Sequence, residues 1–162
     1  MADVNADLLD VLLDGPFQLT VRPQPVPGDL RLTWGLALVV LLLGYSKGNK
    51  ATIQKLHFLA HATRTPESRN ETVLVFAGVK RAADLSTRVE PWLNRALSLA
   101  AASELVVLPK GKGAALTEIG LATYLALIKE PSIFSAEKAF LAAIGKKATE
   151  SAVDRILRME SP

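Results

Sequence analysis

The stretch of sequence that decides the fold runs from Arg88 to Ile128: RVEPWLNRALSLAAASELVVLPKGKGAALTEIGLATYLALI. Pro91 suits the first position of a helix, because it has no N–H to leave unpaired and its φ is already helical. The pattern after it turns Asn94, Arg95 and Ser98 outward. On the opposite side, apolar residues recur at i, i+3, i+4 and i+7, namely Leu93, Ala96, Leu97 and Ala100.

Two β-prone runs follow this helix, over 105–108 and 114–117. They are joined by Pro-Lys-Gly-Lys-Gly at 109–113, and a glycine-containing loop of this length is an ordinary hairpin connection. Thr117 has the side chain that an N-cap needs, which predicts a helix from there through Ile128. A helix, a two-stranded ribbon and a helix form the second half of a winged helix-turn-helix. We therefore expect a mainly α fold with a small β-hairpin wing.

The composition excludes several classes of protein. The 162 residues suffice for one domain with a real core, and the 49% apolar content excludes a disordered chain. The absence of cysteine excludes disulfides and a cysteine-based zinc site, and it is compatible with the cytoplasm, where we expect this protein. The longest apolar run, Trp34–Leu43, is about half of the roughly 20 residues that span a bilayer. The acidic N-terminus also lacks the basic start of a signal peptide.

Charge is distributed unevenly along the chain, whose net charge is +3. Residues 1–14 carry four acids and no base, whereas residues 46–113 carry eleven bases and five acids. A basic middle permits binding to nucleic acid or to an acidic protein surface, although many solvated faces have the same balance.

The N-terminal segment predicts an acidic, amphipathic helix. Its acids recur at i, i+4, i+7 and i+11, as Asp3, Asp7, Asp10 and Asp14. Beside them lie Leu8, Leu9, Leu12 and Leu13. Like charges at i, i+4 destabilise an isolated helix, so the segment should gain from a basic, apolar surface. That surface belongs either to the chain's own domain or to a partner, and for a partner we expect contacts through Leu8, Leu9 and Leu12.

The chain divides into three parts. Residues 1–30 hold the acidic helix, which ends at Gly15-Pro16, and a proline-rich arm that is either a stiff spacer or a ligand for another domain. Residues 31–130 hold the winged-helix domain. Residues 131–162 predict a C-terminal helical hairpin, which would add a surface for a partner or a second copy. Its candidate partner contacts are Phe140 and Ile156, on helices capped by Ser135 and Thr149.

Three segments of the middle part complete the predicted helices. The helix over 33–44 is apolar on all sides, which is typical of a central helix or an oligomer interface. Asn49 is available to cap a further helix over 50–63. The run over 71–79 leaves helix and strand open, and the caps that Ser68 or Asn70 would supply favour a short helix.

His57 and His61 stand at i, i+4 on a predicted helix, the separation at which two imidazoles share a metal. No acid lies between them as in a zinc protease, and the chain has no other histidine. We therefore expect structural or surface histidines, with no metal and no cofactor. The chain also lacks a phosphate loop, a dinucleotide-binding glycine motif and a nucleophile elbow, so we expect no enzymatic activity.

Nucleic-acid binding is the functional interpretation of the wing. Lys110 and Lys112 at its glycine-rich tip would contact phosphates. Asn94 and Arg95 would make base contacts in a major groove. Further phosphate contacts would come from Lys47, Lys50, Lys55 and Arg88. The alanine-rich end of the reading helix offers little polar reach, so the alternative is that these lysines only keep surface loops hydrated.

Leu116-Thr117-Glu118-Ile119-Gly120 closes the wing in the pattern Leu-Thr-x-x-Gly, which is common among bacterial winged helices. Together with Lys50–Ala60 (KATIQKLHFLA) and Val89–Val106, it resembles the middle component of bacterial ABC-type three-component systems. These small subunits accompany an SMC/Rad50-like ATPase and are implicated in phage defence, Lamassu-like systems among them. The resemblance covers residues 31–130.

The resemblance implies a non-catalytic subunit that bridges the ATPase and an effector subunit, and it leaves contact with double-stranded DNA open. The alternative function is a dimeric, DNA-binding transcription regulator.

Overall fold

The computed structural model describes residues 28–110 and 113–160. The predictions for the acidic helix, its break at 15–16, the proline-rich arm, Leu8, Leu9, Leu12 and Lys112 lie outside these residues. The described chain is mainly α-helical, as predicted. Its helices are α1 (Gly28–Gly44), α2 (Ile53–Ala62), α3 (Pro66–Phe76), α4 (Pro91–Ala102), α5 (Glu118–Lys129), α6 (Ser135–Ile144) and α7 (Glu150–Glu160). Its strands are β1 (Lys50–Ala51), β2 (Val106–Val107) and β3 (Ala114–Leu116).

The three strands form one antiparallel sheet in the order β1-β3-β2. β2 and β3 pair as the predicted hairpin, with Val106 opposite Leu116 and Val107 opposite Ala115. The sequence did not predict β1, which pairs with the other side of β3 and places Lys50 opposite Ala115. The hairpin prediction is therefore confirmed, and the sheet is one strand larger than expected.

α1 is the helix around which the others pack. Its residues 38–43 have no solvent exposure, whichever way they point from the helix axis. α2, α4, α5 and β3 all pack against it. Burying each leucine or valine side chain contributes roughly 1.5–3 kcal/mol relative to exposure, so α1 supplies the largest block of the core. Of the two roles that its all-round apolarity left open, α1 therefore has that of the central helix.

The segment after α1 differs from its prediction. The expected helix over 50–63 does not begin at a cap on Asn49, because its first two residues are extended and pair with β3. Thr52 is the N-cap of α2 and accepts the N–H of Lys55 at 3.2 Å. Asn49 lies in a 3-10 turn with a φ of +54°. Periodicity in the sequence cannot show whether residues 50–51 are extended or form the first turn of a helix. Pairing with β3, which is distant in sequence, makes them extended.

The two helices on either side of the hairpin begin where the sequence predicts. α4 starts at Pro91 and buries its apolar stripe. Thr117 caps α5 by accepting the N–H of Gly120 at 3.0 Å. The uncertain run over 71–79 is largely helical, as expected, but α3 begins earlier because the cap is Thr65 rather than Ser68 or Asn70.

The two predicted C-terminal helices are present, but each packs mainly on the rest of the domain. α6 contacts α3, where Arg69 lies 3.6 Å from the Glu137 carboxylate. α7 contacts α2 and the short turn over 82–84. Ser135 does not cap α6, because Phe134 holds the cap position in a left-handed conformation without a side-chain cap bond.

The Leu-Thr-x-x-Gly segment brings α5 against the chain that enters β2. Thr117 Oγ1 lies 2.5 Å from the Glu104 carbonyl oxygen, and the Thr117 N–H donates to the Leu105 carbonyl at 3.1 Å. A Cβ on Gly120 would overlap that same Leu105 oxygen, far inside van der Waals contact. The obstacle is backbone, so no side chain can rotate away to make room. Packing therefore requires glycine at this position of the motif.

We expect Gly120→Ala to lower the free energy of unfolding by about 1–3 kcal/mol, the usual cost of overpacking a tight site. Urea unfolding followed by circular dichroism measures the change. The control is Gly35→Ala in α1, where a Cβ would meet its nearest neighbours at an ordinary 3.5 Å. Alanine favours a helix interior, so this control should hold or gain about 0.5–1 kcal/mol. Unchanged stability in Gly120→Ala would contradict the close approach of the two backbones.

Candidate interaction surface

The outer face of α4 borders a groove against the N-terminal half of α1. Asn94, Arg95 and Ser98 are at least partly exposed on this face, as predicted. Two hollows of about 400 and 540 Å³ adjoin here, since Leu32 and Arg95 line both of them. We call the two together the α4 groove. Its walls include Arg31, Leu32 and Gly35 from α1 with Trp92, Arg95 and Leu99 from α4.

The α4 groove is basic and apolar at the same time. Arg31 and Arg95 are its charged lining residues, and both are exposed. Among the side chains that the structure describes, those of residues 31–110, 113–145 and 147–159, neither guanidinium has an ion-pair partner. Leu32, Trp92 and Leu99 supply apolar surface between them. An occupant with carboxylates and apolar side chains would therefore match the walls.

An aromatic cluster borders the α4 groove. The ring centroid of Trp34 lies 5.5 Å from that of Trp92 and 6.0 Å from that of Phe134. Aromatic pairs at such spacings contribute about 0.5–1.5 kcal/mol beyond their buried area. Trp34 nevertheless keeps 45% of its surface exposed. These two tryptophans are the only ones in the chain, so indole fluorescence reports on this region alone.

A buried carboxylate lies at the start of α4. Glu90 is 6% exposed, and its oxygens lie 3.0 Å from His61 Nδ1 and 3.1 Å from the Trp92 indole N–H, both as acceptors. The Arg64 guanidinium lies 3.7 Å from the same carboxylate. The backbone N–H of Glu90 donates to His57 Nδ1 at 3.1 Å. A buried carboxylate needs such partners, because its desolvation is otherwise costly. The cluster therefore holds the loop that leads into α4.

The i, i+4 spacing of His57 and His61 thus has a structural use in this fold, since both rings engage Glu90 through Nδ1. In the part of the chain that the structure describes, no group of three or more potential ligands is placed to hold a metal ion.

The basic residues predicted to contact DNA are divided between separate surfaces. Lys50, Arg88 and Lys110 are exposed, and so is Lys47 in the turn after α1. Lys50 borders a hollow of about 260 Å³ beside the wing, which also includes Glu150 and shares no residue with the α4 groove. The structure therefore brings Asn94 and Arg95 together and places Lys50 elsewhere.

Lys55 is unavailable to a phosphate, contrary to its prediction. It is 4% exposed, and its Nζ lies 3.6 Å from Glu150 Oε1. The Glu150 carboxylate also accepts the O–H of Thr52 at 2.7 Å and its N–H at 3.4 Å. Thr52 is the N-cap of α2, so a carboxylate of the chain itself occupies the positive end of this helix. Sequence reasoning missed Glu150 because it lies 98 positions from Thr52.

α5 exposes a row of apolar side chains. Leu121, Leu125 and Ile128 lie at i, i+4 and i+7 and are 37%, 51% and 37% exposed. We call these three residues the α5 row. The neighbouring face of the helix packs on α1, and there the Tyr124 ring meets Tyr45 edge-on at 5.8 Å. Burial raises the pKa of both phenols. α5 therefore has one apolar face that α1 covers and a second one, the α5 row, that is exposed among the described residues.

Phe140 and Ile156 are corrected from partner contacts to core residues. They are 4% and 6% exposed and belong to the same hydrophobic cluster as α1. A partner would reach them only if α6 or α7 detached. The α5 row is the apolar surface that the sequence did not single out, because an all-round apolar helix does not indicate which side its neighbours cover.

Comparisons with protein-family models, with curated proteins and with solved structures found no match for this chain. Within the described ranges, no helix has both the length and the apolar character needed to cross a membrane. The function must therefore be inferred from the surfaces of the protein itself.

Glu90→Ala removes a buried carboxylate that accepts from two partly buried donors. We expect the free energy of unfolding to fall by about 1–3 kcal/mol, because His61 and the Trp92 indole N–H lose their hydrogen-bond partner at a site where the carboxylate itself is buried. Thermal and urea unfolding measure the loss. The control is Glu118→Ala, which removes an exposed carboxylate from the first turn of α5 and should cost at most about 0.3–1 kcal/mol. Equal losses in the two variants would show that Glu90 has no special structural role.

Proposed function

We propose that this protein is a non-catalytic winged-helix subunit of a multiprotein complex, and that it binds a partner protein through the α5 row. The order of elements supports the winged-helix part of the proposal. A first helix, a short strand, further helices and a closing hairpin follow one another, with the strands in the order β1-β3-β2. α4 then takes the place of the reading helix, and the loop between β2 and β3 takes that of the wing.

The observation that carries the proposal is the α5 row itself. Single exposed apolar residues are ordinary on protein surfaces, but a contiguous set along one helix face marks an interaction site. Apolar side chains at i, i+4 and i+7 on one helix face can pack against a partner helix or fill a groove on a partner's surface. Ala122 is exposed beside the row and presents no bulk that would keep a partner helix away.

The internal ion pairs also favour a protein partner. Lys55 and the N-terminus of α2 are engaged by Glu150, and Arg64 lies near Glu90. A carboxylate of the same chain therefore already lies beside each of these cationic groups. From the resemblance of residues 31–130, we propose an SMC/Rad50-like ATPase and an effector subunit as the partners, in a bacterial anti-phage defence complex.

Co-purification with a Leu125→Glu variant tests the proposal. We expect tagged protein from its native host to retain an SMC/Rad50-like ATPase that mass spectrometry identifies, and Leu125→Glu to lose it. The substitution places a charge in the middle of the α5 row, where the partner would have to desolvate it. Because Leu125 is exposed, folding should be preserved, and circular dichroism checks this.

The matched control is Val79→Glu, since Val79 is 74% exposed and lies outside the α5 row. It should retain the ATPase at the level of the unaltered protein. Absence of any such ATPase, or its equal retention by Leu125→Glu, would contradict the proposal.

A dimeric, DNA-binding regulator is the second candidate function. Asn94 and Arg95 favour it, because they lie side by side on the exposed face of α4, and Lys110 is exposed in the wing. The contacts at the start of α2 weigh against it. An anion that approached there would meet the Glu150 carboxylate.

Gel-shift titration over a range of salt concentrations tests this second function. Lys110→Ala/Lys112→Ala should weaken binding to every duplex alike and lower the salt slope by about 0.9 for each phosphate that is no longer neutralised. Asn94→Ala should instead relax preference at one base pair, with a cost of about 1–3 kcal/mol for the preferred sequence. Lys129→Ala, at the end of α5, is the control. Failure to bind any duplex at low salt would exclude this function.

A further inference from the structure

We propose that the acidic, leucine-rich segment 3–14 of this chain binds in its own α4 groove and covers Asn94 and Arg95. The chain would thereby occlude the outer face of α4 until a competitor displaces the segment. This inference does not depend on the α5 row, so the two proposals can fail separately.

Charge complementarity is the first argument. The segment carries four aspartates and no base. The α4 groove presents Arg31 and Arg95, both exposed, and neither pairs with a carboxylate among the side chains described for residues 31–110, 113–145 and 147–159. Among the side chains described from residue 31 onward, no acidic one lines either of its hollows. Attraction across this surface would steer the segment to the groove and fix its orientation.

Apolar complementarity is the second argument. The segment is rich in leucine and valine, with Leu8, Leu9, Val11, Leu12 and Leu13 in one run. Between its two arginines the groove offers Leu32, Trp92 and Leu99. Its hollows, of about 400 and 540 Å³, have room for several aliphatic side chains.

The connection between segment and groove is long enough. Thirteen residues, 15–27, separate the segment from the start of α1. An extended, proline-rich chain spans about 3.1 Å per residue, so they reach about 40 Å. Gly35, the innermost α1 residue of the groove, lies about 10 Å along the helix from Gly28 at 1.5 Å per residue. A tether of this kind raises the local concentration of the segment to the millimolar range, so even weak affinity suffices for occupancy.

A charge swap in the full chain tests the proposal. Acrylamide quenching of tryptophan fluorescence is the readout, because Trp92 lines the α4 groove and the Trp34 ring lies 5.5 Å from that of Trp92. Arg31→Glu/Arg95→Glu and Asp7→Lys/Asp10→Lys should each weaken docking about tenfold, since attractions become repulsions. Each variant should therefore raise the quenching constant. The chain that carries all four reversals should return to the value of the unaltered protein.

The control is Lys129→Glu/Arg158→Glu, which reverses two exposed charges away from the α4 groove and should leave quenching unchanged. Equal quenching in all variants, or no recovery in the fourfold reversal, would overturn the proposal. Quenching that depends on protein concentration would overturn it as well, because a segment from a second copy would then occupy the groove.

Discussion

The complete burial of residues 38–43 in α1 is the constraint on which the rest of the structure depends. Leucine and valine point outward there in every direction, so the helix must be surrounded on all sides. α2, α4, α5 and the sheet provide that surround, and α6 and α7 extend the same core through α3 and α2. The α4 groove and the α5 row consequently have a common origin. Each is lined by a helix that also packs on α1.

Local physical chemistry was enough to predict much of this fold. Pro91 alone predicts where α4 begins, and Thr117 alone predicts where α5 begins. The glycine-rich connection between the two β-prone runs predicts the hairpin. The sequence could not predict β1, because two residues become a strand only through pairing with β3. Contacts between residues far apart in sequence were unpredictable for the same reason. Glu90 engages His61 across 29 positions, and Glu150 engages Thr52 across 98 positions. No local sequence pattern indicates such contacts.

The distribution of charge is informative about which partners suit this protein. The net charge of +3 suggests a cationic surface, yet several cationic groups lie against carboxylates of the same chain. Of the exposed cations that remain, Arg31 and Arg95 line the α4 groove, whereas Lys50 borders the separate hollow beside the wing. Exposed apolar side chains, in contrast, follow one face of α5 as the α5 row, and Leu32 and Trp34 are exposed on α1. This balance supports the proposal of a subunit that works mainly through protein contacts.

The shortness of the strands has a consequence for assembly. β1 and β2 form the two outer edges of the sheet and have two residues each, while β3 between them has three. An edge of that length exposes too few backbone N–H and C=O groups to template an incoming strand, although Val107 beside it is apolar and exposed. Partners that attach by adding a strand to a sheet have no platform on these three strands. The two-residue edges are therefore poor templates both for an added strand and for edge-to-edge aggregation.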